Sequence, residues 1–147
     1  MQCNPGEYIT SKASVNLLDK NINLIKELST EFTLIAIITN QPQISMGYLS
    51  LFDLNQINTM VIKKCMQIGL KVDFVKFCPH HPHRGYQGEV EVLKKYCFCR
   101  KPLPGMLLEM SFLYNINLKD SLVIGDSFRD RDLALNSGSK FKHIKDL

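Results

Sequence analysis

Apolar positions along the chain recur at two different spacings, which predict helices that alternate with short buried strands. Over residues 15–28 and again over residues 54–68, apolar side chains return every three or four positions, as on one face of an amphipathic helix. Residues 32–39 form a continuous apolar run rich in isoleucine, and residues 72–77 alternate between apolar and polar; both patterns favour strands. Cys65 falls on the second helical stripe, so we expect it in the core.

Turn and capping residues mark the ends of these elements. Ser50 and Asp53 match a capping box ahead of the second helix, and Gly69 follows its last apolar position. Pro104 suits the first turn of a third helix. The remaining predicted elements are a loop over residues 1–14, a helix over 104–114, a strand over 121–124, a helix over 130–137 and an edge strand over 140–144.

The order of these elements predicts an α/β fold, namely a Rossmann-like parallel sheet with helices on both faces, in a single domain over residues 1–147. Ligands of such sheets bind outside the carboxyl ends of the strands. Thr39–Asn40, Cys78 and Asp126 all lie at predicted strand ends. We therefore look for chemistry at this edge.

Composition narrows the class of protein. The five cysteines are an odd number, and no apolar run near the start resembles a secretory signal, so reduced thiols or metal ligands in the cytoplasm are expected. The longest strongly apolar run, residues 34–38, is too short to cross a bilayer. The net charge of +4 comes from basic residues spread along the chain, so we expect a monomer without nucleic-acid or membrane partners.

Two close pairs of soft ligands predict a zinc site. Cys78 and His80 form one pair, Cys97 and Cys99 the other, and a loop separates them. Three thiolates and one imidazole complete a tetrahedron and leave no open position, so the zinc would be structural. The spacing leaves His81 and His83 as alternatives to His80. The competing interpretation is scattered core cysteines and surface histidines.

Three further pairs have the chemistry of a phosphate site. Thr39–Asn40 offers a hydroxyl and an amide, and Arg100–Lys101 offers a guanidinium fork and an amine. Asp126 and Asp130 offer carboxylates of the kind that bind Mg²⁺. Each pair has an ordinary alternative, which is a strand-ending turn, a surface cation pair and helix capping respectively. Together, at successive strand ends, they predict a phosphate-and-magnesium site.

Four segments resemble the zinc-containing branch of the haloacid dehalogenase superfamily. They are Ile38-Thr-Asn-Gln41, Cys78-Pro-His-His-Pro82, Cys97-Phe-Cys-Arg-Lys-Pro-Leu-Pro-Gly-Met106 and Ile124-Gly-Asp-Ser-Phe-Arg-Asp130. The nearest members are the D-glycero-D-manno-heptose 1,7-bisphosphate phosphatases and the related histidinol-phosphate phosphatases. The resemblance extends from about Gly6 to Lys140. It is most specific over residues 78–104, which contain the four predicted zinc ligands and which we call the zinc loop.

The resemblance implies a phosphatase that hydrolyses a sugar phosphate, most simply the heptose bisphosphate. It implies that Thr39 and Asn40 bind the phosphoryl group and that Lys101 neutralises it. Gln41 and Arg100 would contact the substrate. The implied metal ligands are Cys78, His80, Cys97 and Cys99 for structural zinc, and Asp126, supported by Asp130, for Mg²⁺.

The sequence also departs from the family pattern. Members open with a central strand that ends in Asp-x-Asp-Gly-Thr, whose first Asp is the nucleophile, and this motif is absent from the sequence. Asp130-Arg131-Asp132 falls in a predicted helix and is not a replacement. Pro42-Gln43 and Met46 replace family residues of the substrate loop. We therefore expect impaired catalysis in this form, an N-terminally incomplete sheet, and as the alternative a non-catalytic, zinc-stabilised relative that binds a phosphorylated ligand or a protein partner.

Overall fold

A computed structural model describes residues 8–147 and confirms the predicted alternation of helices and parallel strands. The predicted loop over residues 1–14 lies partly outside this range. The elements in chain order are α1 (Asp19–Ser29), β1 (Ala36–Asn40), α2 (Leu51–Ile68), β2 (Phe74–Cys78), α3 (Gly105–Tyr114), β3 (Leu122–Gly125), α4 (Phe128–Ser137) and β4 (Lys140–His143).

The strands form two separate parallel pairs. β1 pairs with β2, from Ala36 opposite Phe74 to Asn40 opposite Cys78, and β3 pairs with β4 in the same orientation. Across residues 8–147 no ladder joins β1 to β3. A cleft of about 640 Å³ is lined by apolar residues of both strands, among them Ile37 and Val123, and Lys101 and Asp130 also line it. The predicted parallel sheet is thus present as two halves.

Helix α2 supplies much of the core, as its apolar spacing predicted. Leu54, Ile57, Val61 and Cys65 are all buried, which confirms Cys65 as a core residue. Ser50 caps the helix because its Oγ accepts a hydrogen bond of 3.0 Å from the Asp53 backbone N–H. The helix ends at Gly69, whose φ of 88° is in the left-handed region.

Three helices begin at residues that differ from the sequence prediction. α3 begins at Gly105, with Pro104 as its N-cap residue and not in its first turn. α1 begins at Asp19, because Leu18 is extended and Val15 and Leu17 reach the core from a loop. α4 begins at Phe128 and not at Asp130. The reason is a capping box between Ser127 and Asp130, which makes Asp130 the third residue of the helix.

The boundaries of the strands shift by a few residues toward the site. β1 begins at Ala36, whereas the apolar run begins at residue 32, and β2 extends one residue beyond the predicted end to include Cys78. Both strands therefore end level with each other, at Asn40 and Cys78. In the part of the chain that is described, no helix has the length and apolar character needed to cross a membrane.

Candidate active site and metal centre

The four predicted soft ligands converge on one point. Sγ of Cys78, Nδ1 of His80, and Sγ of Cys97 and Cys99 lie within 4.8 Å of one another. The three sulfur atoms are 3.1–3.4 Å apart, and His80 Nδ1 lies 3.3 Å from Cys99 Sγ. Ligands at about 2.0–2.3 Å from a tetrahedral zinc are separated by slightly less than ~4 Å. The donor set and its spacing therefore fit zinc.

The structure selects among the alternatives that spacing left open. His80 has a ring nitrogen in the cluster, whereas His81 Nδ1 accepts a hydrogen bond of 3.3 Å from the His83 backbone N–H. The sulfur atoms are too far apart for disulfides, whose S–S bond is about 2.05 Å, and the cysteines are free. Of the three histidines, His80 is therefore the one that faces the thiols.

Burial disfavours the charged, thiolate form of the cysteines in the cluster. Burial, followed by the hydrogen bond with Cys99, raises the pKa of the Cys78 thiol far above its ordinary value, and burial also raises the pKa of Cys99. The pKa of His80 is lowered by burial and then by the charge of Lys95. A divalent cation reverses the penalty for thiolates because it stabilises them directly. A metal ion held by the four residues would therefore offset the cost that burial imposes on the thiolates.

The loop between the two ligand pairs is held by an ion pair that the sequence pattern did not indicate. The Lys94 side chain is only 1% exposed and pairs with Glu89. Glu89 also accepts hydrogen bonds from the backbone N–H groups of Gly85 and Tyr86. Its pKa is lowered, first by the hydrogen bond with Lys94. These contacts fix the loop that joins His80 to Cys97.

Lys101 is clamped to the end of β1 through its backbone. The Asn40 side-chain amide donates to the Lys101 carbonyl at 3.0 Å, while the Asn40 Oδ1 accepts from the Lys101 N–H at 2.9 Å. Next to it, Arg100 donates from Nη1 to the His80 carbonyl at 3.0 Å. The zinc loop and the strand end therefore share one hydrogen-bonded frame, with Lys101 at its centre.

The amine of Lys101 reaches a buried carboxylate. Lys101 Nζ donates to Asp130 Oδ1 at 2.7 Å and to the Ile38 carbonyl at 3.1 Å. Ser127 Oγ donates to the other Asp130 oxygen at 2.6 Å. Burial alone would raise the pKa of Asp130, but the charge and hydrogen bond of Lys101, together with Ser127, lower it. Asp130 therefore stays ionised and orients the amine.

Gly125 lets α4 approach β3 closely enough for that contact. A Cβ at this position would lie 2.3 Å from Asp130 Cβ and 2.6 Å from Asp130 Oδ2. We expect Gly125→Ala to displace Asp130 and to lower the free energy of unfolding by about 1–3 kcal/mol. Urea unfolding measures the loss. An unchanged midpoint would contradict the packing described here.

The other predicted site residues, Thr39, Gln41 and Asp126, differ in their burial and in their hydrogen-bond partners. Thr39 lies at the end of β1, where Gln41 Nε2 donates to its Oγ1 at 3.4 Å. Gln41 is buried, and its side-chain carbonyl accepts a hydrogen bond from Gln43 Nε2. Its side chain therefore stabilises the turn after β1. Asp126 follows β3, is exposed, and its carbonyl lies 3.3 Å from His143 Nε2. Thr39, Asn40, Lys101 and Asp126 all occur at carboxyl ends of strands or beside them.

Curated relatives of similar sequence share one name. The D-glycero-beta-D-manno-heptose-1,7-bisphosphate 7-phosphatase of Yersinia pestis is 31% identical over 135 residues, which are 90% of this chain and 70% of that protein. The enzyme of the same name from Rhodopseudomonas palustris is 32% identical over 131 residues, 89% of this chain and 71% of that protein. No protein-family model matches the chain.

A solved structure agrees with these relatives. The D,D-heptose 1.7-bisphosphate phosphatase from B. bronchiseptica, complexed with magnesium and phosphate, superposes with a TM-score of 0.78 at 27% sequence identity. The match covers 96% of this chain and 72% of that one. The likeness therefore extends over nearly the whole chain.

Proposed function

The chain belongs to the D-glycero-D-manno-heptose-1,7-bisphosphate 7-phosphatase family of haloacid dehalogenase-like phosphatases, and we propose that its site releases phosphate from a small phosphorylated sugar. The substrate named for its relatives, heptose 1,7-bisphosphate, is the one we propose for this chain. The observation that carries the proposal is the placement of the Lys101 amine between β1 and the first turn of α4, where the Ile38 carbonyl and Asp130 hold it.

In the proposed reaction, Lys101 neutralises charge on the transferred phosphoryl group. Positioning and charge neutralisation supply most of the catalysis in phosphoryl transfer, so an amine fixed in advance is more effective than a mobile one. Thr39 and Asn40 bind the same group, and Arg100 contacts the remainder of the substrate, while the buried Gln41 supports the turn after β1. Asn40 has a second role, because its side chain fixes the backbone of Lys101.

We propose that Asp126 holds Mg²⁺ at the end of β3, with Asp130 in support. Mg²⁺ commonly takes one or two protein carboxylates, with water and substrate phosphate as the remaining ligands, and the exposed carboxylate of Asp126 suits that role. The ion would neutralise charge on the phosphate oxygens. Asp130 is already bonded to Lys101 and Ser127, so its contribution is to orient these groups.

The nucleophile is proposed to come from a strand inserted between β1 and β3. Each of these strands is paired on one edge only within residues 8–147, and both line the same apolar cleft. A parallel strand in the cleft would satisfy both free edges. Its carboxyl end would lie beside Lys101 and Asp126, where an Asp-x-Asp-Gly-Thr sequence would place its first carboxylate next to the phosphate.

Zinc is proposed to brace the substrate side of the site. The residues Cys78, His80, Cys97 and Cys99 would hold it, and Arg100 and Lys101 follow the last ligand directly. The free thiols fit a reducing cytoplasm, which is the proposed location. We also propose that the protein acts as a monomer on a small molecule and without nucleic acid.

The test is phosphate release by a strand-extended chain, meaning this chain with an Asp-x-Asp-Gly-Thr strand fused at its amino terminus. We expect release of inorganic phosphate from heptose 1,7-bisphosphate in the presence of Mg²⁺ and none after chelation. The control is the same fusion with the first Asp of the added strand changed to Asn. A chain that binds Mg²⁺ and sugar bisphosphate but releases no phosphate would instead support the non-catalytic alternative.

A further inference from the structure

A second concave site lies on the zinc-loop side of Lys101. It has a volume of about 270 Å³, and its walls come from residues 81–83, residues 95–97, residues 100–103 and Arg129. We call it the basic pocket, because six of the residues that line it have basic side chains. They are His81, His83, Lys95, Arg100, Lys101 and Arg129.

The positive charge of the basic pocket is only partly compensated. No Asp or Glu is among the described residues that line it. Lys101 is paired with Asp130, and Arg100 donates one N–H to the His80 carbonyl. Arg129 is exposed, its guanidinium lies 4.9 Å from the centre of the Phe128 ring, and no carboxylate in residues 8–147 forms an ion pair with it.

Arg129 is also placed where positive potential is highest on its helix. It is the second residue of α4, whose amino-terminal end carries the positive pole of the helix dipole. The planar guanidinium fork matches the geometry of a phosphate or carboxylate better than an amine does. An anion in the basic pocket would therefore meet Arg129 from α4 and Arg100 from the zinc loop.

Lys101 connects the two cavities, because it lines both the cleft between β1 and β3 and the basic pocket. A substrate phosphate bound at Lys101 would therefore lie next to the basic pocket. We propose that the basic pocket binds a second anionic group of the substrate and that Arg129 determines the preference for sugar bisphosphates over monophosphates. This inference rests on the proposed function.

Binding to the chain as it stands tests the inference without turnover. Calorimetric titrations would compare heptose 1,7-bisphosphate with heptose 7-phosphate, which lacks the second phosphate. For Arg129→Ala we expect the bisphosphate to bind roughly 10- to 100-fold more weakly, the effect of losing a hydrogen bond to a charged group. Binding of the monophosphate should stay within about 2-fold. Arg129→Lys keeps the charge without the fork and should be intermediate.

Arg131→Ala is the matched control, because Arg131 lies on the same helix and pairs with Asp132 through Nη2 at 2.9 Å. It should change neither affinity. If Arg129→Ala weakens both ligands equally, or neither, the inference is wrong while the proposed function stands. If the unaltered chain binds neither ligand, the proposed function fails and the inference fails with it.

Discussion

Lys101→Met in the strand-extended chain is expected to lower the rate of phosphate release by about 10²- to 10³-fold, the usual effect of removing one preorganised donor from a charge-stabilising site. The same substitution should lower the free energy of unfolding by about 3–5 kcal/mol, because it leaves a buried carboxylate without its cation. The Lys101 and Asp130 side chains are only 16% and 10% exposed, so solvent screens their interaction little. Phosphate release and urea unfolding measure the two effects separately.

Lys76→Met is the control for an ion pair of the same type at the surface. Lys76 pairs with Glu109, and these side chains are 34% and 49% exposed. Exposed pairs contribute about 0–1 kcal/mol, so we expect little change in unfolding and none in phosphate release. If the two variants lost the same amount of unfolding free energy, the buried pair would contribute no more than the exposed one, and the effect expected for Lys101 would be wrong.

The pH dependence of unfolding provides an independent check on the same pair. The pKa of Asp130 is lower in the folded chain than the value of about 3.9 for an unfolded Asp. Its stabilising contribution is therefore complete above that value and is lost as the pH falls through the folded-state pKa. Lys101→Met removes a main cause of the lowering, so the acid-induced loss of stability should become smaller in the variant.

Cys99→Ser is expected to abolish most zinc binding and to unfold the loop over residues 78–104. Cys99 Sγ lies within 3.3 Å of all three other ligand atoms, so no neighbouring group replaces it. Structural zinc contributes about 10–16 kcal/mol in finger peptides, and binding of this kind is largely folding free energy. Metal analysis gives the zinc content, and limited proteolysis reports cleavage within the loop.

Cys65→Ala is the matched control, because it removes a buried cysteine of α2 that lies outside the cluster. This variant should lose some core packing but keep the full zinc content. A Cys99→Ser protein that retained both its zinc and its melting temperature would contradict the assignment of the cluster as a structural zinc site.

Local patterns were sufficient to predict the features that depend on neighbours in sequence. The stripe of α2, its capping by Ser50 and its end at Gly69 follow from short-range rules. The Cys/His cluster was predicted because its residues come as two pairs, Cys78 with His80 and Cys97 with Cys99. Only the choice of His80 over His81 required the folded structure, since their spacings are nearly equivalent.

Features that join distant segments could not be predicted from periodicity. Lys101 and Asp130 lie on different elements, and nothing in either local pattern indicates that they meet. The clamp between Asn40 and the Lys101 backbone has the same origin. For Asp130, the capping box with Ser127 was a local signal that would have placed the residue inside α4. The sequence around Arg129 gave no indication of a binding role, because the other residues of the basic pocket come from distant segments of the chain.

The separation of the strands into two pairs has a consequence for folding cooperativity. Each pair has its own ladder of backbone hydrogen bonds, and within residues 8–147 no ladder joins the β1–β2 pair to the β3–β4 pair. The two pairs are then coupled mainly by side-chain contacts and by the Asn40–Lys101–Asp130 connection. We therefore expect the chain to open as two partly independent units, and a strand bound between them to merge these into a single cooperative unit.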